Sequence, residues 1–76
     1  MTFGELYDAT HLGKIYEVEN MEEGATDKNY MDSAKAIKRF DKEVVEIRPI
    51  LIHSDLCGNE YEHRYDGLPA LKVVLA

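Results

Sequence analysis

The chain has 76 residues, a length that limits it to one small domain with a single modest hydrophobic core, and we expect that domain to cover residues 1–76. Fifteen acidic against nine basic residues give a formal net charge of −6, which argues against direct binding to nucleic-acid phosphates. The single cysteine, Cys57, excludes an intrachain disulfide framework, and no CxxC pair predicts a structural zinc site.

The first two predicted elements are a short helix over residues 3–9 and a strand over residues 14–19. Thr2 and Glu5 have the spacing of a capping box at the start of the helix. Charged and apolar residues alternate along this strand, so its side chains divide between the two faces of the sheet. One face takes Tyr16 and Val18, and the other takes Ile15, Glu17 and Glu19.

A polar loop over residues 20–26 and a second helix are predicted next. Asp27 is a good N-cap for this helix. Its apolar face is formed at spacings of three and four by Tyr30, Ala34, Ile37 and Phe40. Basic residues crowd its last turns, where cations suit the helix dipole: Lys35, Lys38, Arg39 and Lys42.

Three strands are predicted in the second half of the chain, over residues 44–52, 61–65 and 71–75. Turn residues separate them, and Pro49 places the first of them at an edge or gives it a bulge. A bulge there would put Val45 and Ile47 on the same face as Ile50 and Ile52. The order α-β-α-β-β-β predicts an α+β fold, with two short helices packed on one face of a mostly antiparallel sheet of about four strands. We expect the last three strands to form an antiparallel meander.

The net charge is concentrated in one segment. No basic residue lies between Lys14 and Lys28, whereas five acidic residues do: Glu17, Glu19, Glu22, Glu23 and Asp27. Like charges set close together repel, and a partner rich in Lys and Arg would relieve that repulsion. The alternative is that the acidic segment only keeps a small protein soluble.

The hairpin between the predicted strands at 44–52 and 61–65 carries the residues most suited to chemistry. His53, Asp55, Cys57 and His63 could converge on a metal ion, or Cys57 could act as a nucleophile with a histidine base. No spacing among them matches a structural zinc pattern, and a hairpin tip lacks the groups that would orient a catalytic base. The sequence therefore favours a plain polar hairpin, and we predict no catalytic residue, no metal ligand and no cofactor.

Self-association is a further hypothesis from the same strands. If the strand that contains Pro49 has an open edge, two copies can pair through it. Tyr61 and Tyr65 line one side of the next strand, and tyrosine is enriched where interfaces bury aromatic side chains. The chain would then be a small structural or regulatory interaction module.

The opening run MTFGELYD at residues 1–8, the strand soon after it, the mid-chain helix and the closing run LKVVL at residues 71–75 resemble small accessory proteins of Gram-positive phages and mobile elements. Anti-CRISPR proteins come from that group. The resemblance implies a non-enzymatic inhibitor that binds a CRISPR–Cas effector, in many cases by presenting acidic residues where nucleic acid would lie.

These observations together predict a phage-type protein that blocks a nucleic-acid-handling defence complex of the host, with a CRISPR–Cas effector as the expected partner. The acidic segment would occupy a basic surface of that protein or ribonucleoprotein, extended by Asp55, Glu60 and Glu62 on the hairpin. No basic leader precedes an apolar run at the N-terminus, and the longest apolar stretch, residues 49–52, is too short to span a bilayer. We therefore expect a cytoplasmic protein that does not bind membranes.

Overall fold

The computed structural model describes residues 1–10, 15–28 and 33–76. Within these residues it has two helices and five strands, and the fold class is α+β, as predicted. The helices are α1, Phe3–Thr10, and α2, Ser33–Lys38. The strands are β1, Ile15–Asn20; β2, Ala25–Lys28; β3, Val44–Ser54; β4, Glu60–His63; and β5, Leu68–Leu75.

Helix α1 confirms the predicted capping box. The Thr2 backbone N–H donates to Glu5 Oε1 at 2.9 Å, and the Glu5 N–H donates to Thr2 Oγ1 at 3.3 Å. The helix buries Phe3 and Leu6 and leaves Glu5 and Asp8 in solvent. Its N-terminus is tied to the segment before β3, because the Phe3 N–H donates to the Lys42 carbonyl at 2.8 Å.

The acidic loop and the second helix differ from the prediction. Residues 25–28 form β2, which pairs antiparallel with β1, so Asp27 lies within a strand and is not a helix N-cap. Helix α2 spans only Ser33–Lys38, and it buries Ala36 while Ile37 is 64% exposed. The predicted apolar face was therefore wrong at Ala34 and Ile37, which are both exposed, and its Tyr30 lies outside the described residues.

The sheet has the strand order β2-β1-β5-β3-β4. Its β1 and β5 are parallel and the other neighbours are antiparallel, which makes it a mixed sheet of five strands within the described residues. The predicted meander is therefore wrong, because β5 pairs with β1 and β3 and not with β4. The strand at the end of the chain lies at the centre of the sheet.

The connection between β4 and β5 explains this order. Leu51 of β3 lies opposite His63 of β4 on one side and opposite Pro69 of β5 on the other. Residues 64–67 thus carry the chain across β3 from one of its sides to the other. Gly67, with a φ of 135°, passes so close to β3 that a Cβ atom there would lie 2.5 Å from the Ile52 carbonyl oxygen. Strand β4 is short because the chain leaves that side of β3 at His63.

A bulge in β1 divides its side chains differently from the prediction. The register shifts between Ile15 and Glu17, so Ile15 does not join the charged face. Contrary to the prediction, Tyr16 does not share a face with Val18. Ile15 lies in the main core between the helices and the sheet. The buried members of that core are Phe3, Leu6, Ile15, Val18, Ala36, Val73 and Leu75.

The opposite face of the sheet holds a second cluster of Tyr16, Ile50, Ile52 and Ala70. The Tyr16 hydroxyl donates to the Glu60 carbonyl at 3.3 Å. Because β1 and β4 are three strand spacings apart, about 14 Å in a flat sheet, this bond shows that the sheet curls around the second cluster. We call this the concave face.

Strand β3 is longer than predicted and carries its irregularity elsewhere. The register shifts between Val44 and Glu46, whereas Pro49 stays in register opposite Leu71. Val45 and Ile47 therefore do not share the buried face of Ile50 and Ile52, and they are 59% and 39% exposed.

Candidate interaction site

The predicted acidic segment lies against the basic residues of α2 and the turn that follows it. Arg39 bonds both Asp27, through Nη1, and Glu23, through Nη2 at 3.0 Å from Oε2. Lys42 pairs with Glu22, and Lys35 Nζ lies 3.4 Å from Asp27 Oδ1. We call this group the acid–base clasp: Glu22, Glu23, Asp27, Lys35, Arg39 and Lys42.

The β1–β2 turn positions the carboxylates of the clasp. Asn20 is fully buried, and its Oδ1 accepts the Glu23 backbone N–H at 3.2 Å. Gly24 has a φ of 65°, a left-handed conformation that favours glycine and lets the chain reverse into β2. The turn therefore holds Glu22 and Glu23 over the end of α2, where three acidic and three basic residues of the two sequence clusters form ion pairs.

Ionisation in the clasp follows from these contacts. The hydrogen bond from Arg39 holds the pKa of Asp27 below its ordinary value, and the bond from Lys42 does the same for the pKa of Glu22. The pKa of Lys42 is raised in turn by its bond to Glu22. Asp27 and Glu22 are therefore carboxylates, and Lys42 is an ammonium, at neutral pH.

A second set of carboxylates lies on the concave face. Lys72 Nζ is 2.8 Å from Glu62 Oε2 and 4.0 Å from Glu17 Oε2, and Lys28 lies 3.9 Å from Glu17 Oε1. The bond to Glu62 raises the pKa of Lys72. Glu19 is exposed and makes no ion pair with any described residue. Of the five acidic residues between Lys14 and Lys28, it is the one without a cationic partner among the described residues.

The remaining predicted site residues lie on the β3–β4 hairpin. Asp55 shapes its turn, since Oδ1 accepts the N–H groups of Cys57 at 2.8 Å and Asn59 at 2.9 Å. The bonds from Asn59 and Cys57 lower the Asp55 pKa. The Glu60 carbonyl accepts the Tyr16 hydroxyl. The structure thus distributes the eight predicted carboxylates over the clasp, the concave face and the hairpin turn and does not gather them into one strip.

The two histidine rings of the hairpin lie edge to face, with their centroids 5.7 Å apart. His53 Nδ1 lies 3.3 Å from the Tyr61 hydroxyl, while His63 Nδ1 accepts the backbone N–H groups of Tyr65 and Asp66. Cys57 is an exposed thiol. Among the described residues, no three His, Cys, Asp or Glu side chains are arranged to hold a metal ion.

The outer side of β3, which faces away from β5, is occupied at both ends and bare between them. At its start, the Val44 N–H donates to the Met1 carbonyl at 2.8 Å, and Thr2 bridges Glu43. At its end, residues 51–54 pair with β4. We call residues 45–49 between them the open segment, since no strand in the described part of the chain pairs with them on that side.

The open segment presents two kinds of side chain. Glu46 and Arg48 lie on the concave face, where Arg48 Nη2 is 2.7 Å from Glu46 Oε1. Val45 and Ile47 are exposed apolar residues. The sequence predicts an edge or a bulge at Pro49 but does not single out Glu46 and Arg48. The available signal was a pair of opposite charges placed symmetrically about Ile47.

A largely apolar hollow of about 530 Å³ adjoins the open segment. Arg48 and Pro49 belong to both, and Arg64 at the start of the crossing also lines the hollow. The other residues that give it apolar walls are Ile50, Leu51, Pro69, Ala70 and Leu71. An edge with unpaired backbone groups beside an apolar hollow is the arrangement that extended peptides use when they add to a sheet.

The tyrosines that the sequence assigned to an interface are separated. Tyr61 lies in β4 and is 42% exposed beside His53, with ring centroids 5.7 Å apart. Tyr65 lies beyond the end of β4, in the crossing, and is 81% exposed. They therefore do not line one strand as the sequence predicted.

Comparison of the chain with known protein families, curated proteins and solved structures finds no match. Among the described residues, neither helix has the length and apolar character needed to cross a membrane.

Proposed function

We propose that this chain is a non-enzymatic interaction module that binds an extended protein segment along the open segment of β3. The observation that carries the proposal is the bare stretch of backbone at residues 45–49, held between two paired stretches. Unpaired strand edges are templates for pairing with another strand. This edge is covered by no described element, and its apolar side chains Val45 and Ile47 are left in solvent.

The chemistry of strand addition defines the partner. Main-chain hydrogen bonds supply most of the affinity, and pockets for alternate side chains supply the selectivity. The hollow beside Pro49 would receive an apolar side chain of the added strand. Charged side chains on the other face of that strand would meet Glu46 and Arg48.

Panning of displayed random decapeptides against the immobilised full chain tests this proposal. The wild-type chain should enrich peptides of β-branched and aromatic composition. Ile47→Pro removes one backbone N–H from the open segment and should abolish the enrichment, whereas Ile47→Thr keeps the N–H and should retain it. Circular dichroism confirms that both variants fold. Absence of enriched peptides, or retention of the same peptides by the proline variant, would contradict the proposal.

A second candidate function is inhibition of a nucleic-acid-handling defence complex, with a CRISPR–Cas effector as the expected partner, through the acidic residues. The observation that favours it is the exposure of these carboxylates. Glu19 makes no ion pair with a described residue, and the side chains of Glu22 and Glu23 are 69% and 50% exposed. Surface ion pairs contribute only about 0–1 kcal/mol, so the cations of a partner can replace Lys42 at little cost.

Cleavage assays with a panel of purified CRISPR–Cas effectors test this second function. The wild-type chain should inhibit one of them, and Glu19→Lys combined with Glu22→Lys should relieve the inhibition by reversing charge at two exposed positions. Asp8→Lys combined with Asp66→Lys, with the same change in net charge away from the acidic segment, should leave it intact. Equal inhibition by both double variants would contradict nucleic-acid mimicry, as would a wild-type chain that inhibits no effector.

A further inference from the structure

We infer that the segment bound along β3 is the free carboxyl end of a partner protein, which runs parallel to β3 with its last residue opposite Pro49 and its carboxylate at Arg64. This inference rests on the proposed function and names the chemistry of its partner. Arg64 directly follows β4, so its guanidinium lies where the open segment ends beside the apolar hollow. An apolar last residue followed by a carboxylate is the chemistry that complements such a place.

The outer side of β3 has room for a strand of only about five residues. Met1 occupies that side opposite Val44, and His63 occupies it opposite Leu51. A segment that continued past Pro49 would run into His63 and the crossing, whereas a segment that ends there does not. Its upstream part leaves the edge before Met1, so that only its last residues pair with the open segment. The end of a chain therefore fits this space better than an internal stretch does.

The backbone of β3 determines where the hydrogen bonds to the added strand stop. The Asp55 N–H donates to the Asn59 carbonyl on the β4 side of the hairpin, and backbone groups alternate in direction along a strand. The N–H and the carbonyl of Ile47 therefore point to that same outer side. Two residues further on, Pro49 has no N–H to donate to the next carbonyl of the added strand. The ladder of hydrogen bonds ends there, and the end of the partner has to be held by other groups.

The charges around the hollow favour an anion at this end of the open segment. Arg64 is exposed and makes no ion pair with a described residue. The carboxylate that lines the hollow, Glu62, is already paired with Lys72 at 2.8 Å. A guanidinium binds a carboxylate through two parallel hydrogen bonds. An antiparallel segment would bring its amino end, a second cation, to Arg64, and this repulsion selects the parallel direction.

Side-chain contacts then define the last residues of the partner. Pro49 lies opposite Leu71, and their side chains share the face that lines the hollow. The last residue of the partner, level with Pro49, directs its side chain to that face and is therefore apolar. The residue before it lies level with Arg48 and is acidic, and the fourth residue from the end lies level with Glu46 and is basic, because opposite charges across a strand pair are stabilising.

Panning of the full chain against two libraries of displayed random decapeptides tests the inference. In one library the random segment ends in a free carboxylate, and in the other its carboxyl end is fused to the carrier. The wild type should enrich peptides from the first library alone, with an apolar last residue, an acidic residue before it and a basic residue fourth from the end. Enrichment of peptides from the fused library would overturn the inference and leave the interaction module standing. Enrichment from neither library would contradict both proposals.

Fluorescence anisotropy with one enriched peptide, prepared as the free acid and as the carboxyl-terminal amide, tests the role of Arg64. The amide should bind the wild type about tenfold or more weakly, because it lacks the charge-assisted bonds. Arg64→Gln should weaken binding of the acid by the same factor and leave binding of the amide unchanged, a pattern that a general loss of structure would not produce. Lys38→Gln removes the same charge at an exposed position on α2 and should keep the preference for the acid. Equal binding of acid and amide to the wild type, or a preference for the acid that survives Arg64→Gln, would overturn the inference.

Discussion

The acid–base clasp and the open segment of β3 differ in whether their groups find partners within the described part of the chain. In the clasp, Arg39 is shared by Asp27 and Glu23, so charges from residues far apart in sequence satisfy one another. In the open segment, backbone groups and apolar side chains have no strand partner in the described part of the chain. A charge surplus in a sequence therefore does not by itself locate a binding surface, because folding can neutralise it internally, whereas the backbone groups of a bare strand edge stay accessible from outside.

The chain crosses β3 at residues 64–67, which ends the pairing of β3 with β4 and leaves the open segment bare. A substitution of Gly67 should have the largest effect on the free energy of unfolding. Gly67→Ala would place a Cβ atom 2.5 Å from the Ile52 carbonyl at a φ of 135°. The main chain has to shift, and we expect a loss of about 2–3 kcal/mol in the free energy of unfolding, measured by urea denaturation. Gly24→Ala is the control, since it has a φ of 65° but no atom within 4 Å of the new Cβ. It should cost only about 1 kcal/mol. Equal losses in the two variants would show that the close crossing is not what fixes the chain there.

Removing the centre of the clasp should have a smaller effect. The Arg39 side chain is 12% exposed, so Arg39→Met keeps its apolar packing but leaves Asp27 and Glu23 without their shared cation. We expect a loss of about 1–2 kcal/mol, between the values for exposed and buried ion pairs. Lys38→Met, at an exposed position on α2 with no ion pair to a described residue, should stay within about 0.5 kcal/mol of the wild type. A neutral Arg39→Met would mean that the clasp adds nothing to stability and that its acidic residues are available to a partner.

The pH dependence of stability tests the contribution of the clasp again, and it should give the smallest effect of the three. The pKa of Asp27 in the folded state lies below its ordinary value of 3.8, because Arg39 stabilises the carboxylate. Such a group contributes stability that is fully present above pH 3.8 and is lost as the pH falls through the lower, folded-state value. Asp27→Asn should therefore be less stable than the wild type at pH 7, with the difference shrinking below pH 4. A difference in stability between the two proteins that stays constant over that range would show that the Asp27 carboxylate does not stabilise the fold through Arg39.

Several elements could be predicted from the sequence because short-range chemistry determines them. The capping box of Thr2 and Glu5 places α1, and the turn residues around Asp55 place the β3–β4 hairpin. The sequence of β2, ATDK, shows no alternation of apolar and polar residues, because the strand is a polar edge of four residues. Its formation depends on pairing with β1, which the sequence of β2 alone does not encode.

Strand order and the clasp depend on contacts between distant residues. The meander prediction failed because Gly67, which looks like an ordinary turn glycine, carries the chain closely over β3. The bulge at Ile15 likewise shifted one residue from the charged face into the core. The acidic and basic clusters are both visible in the sequence, but the sequence does not show that they pair with each other. Their pairing requires the β1–β2 turn to face α2, which only the fold shows.

Amide hydrogen exchange at Ile47, compared with Leu51 in the same strand, tests the openness of the β3 edge most directly. Leu51 is covered by β4 and should be protected at every protein concentration. Ile47 should exchange rapidly in dilute solution, because no described strand covers it on the outer side of β3. Protection of Ile47 equal to that of Leu51 in the dilute monomer would show that the edge is already covered within one chain, and would contradict the account.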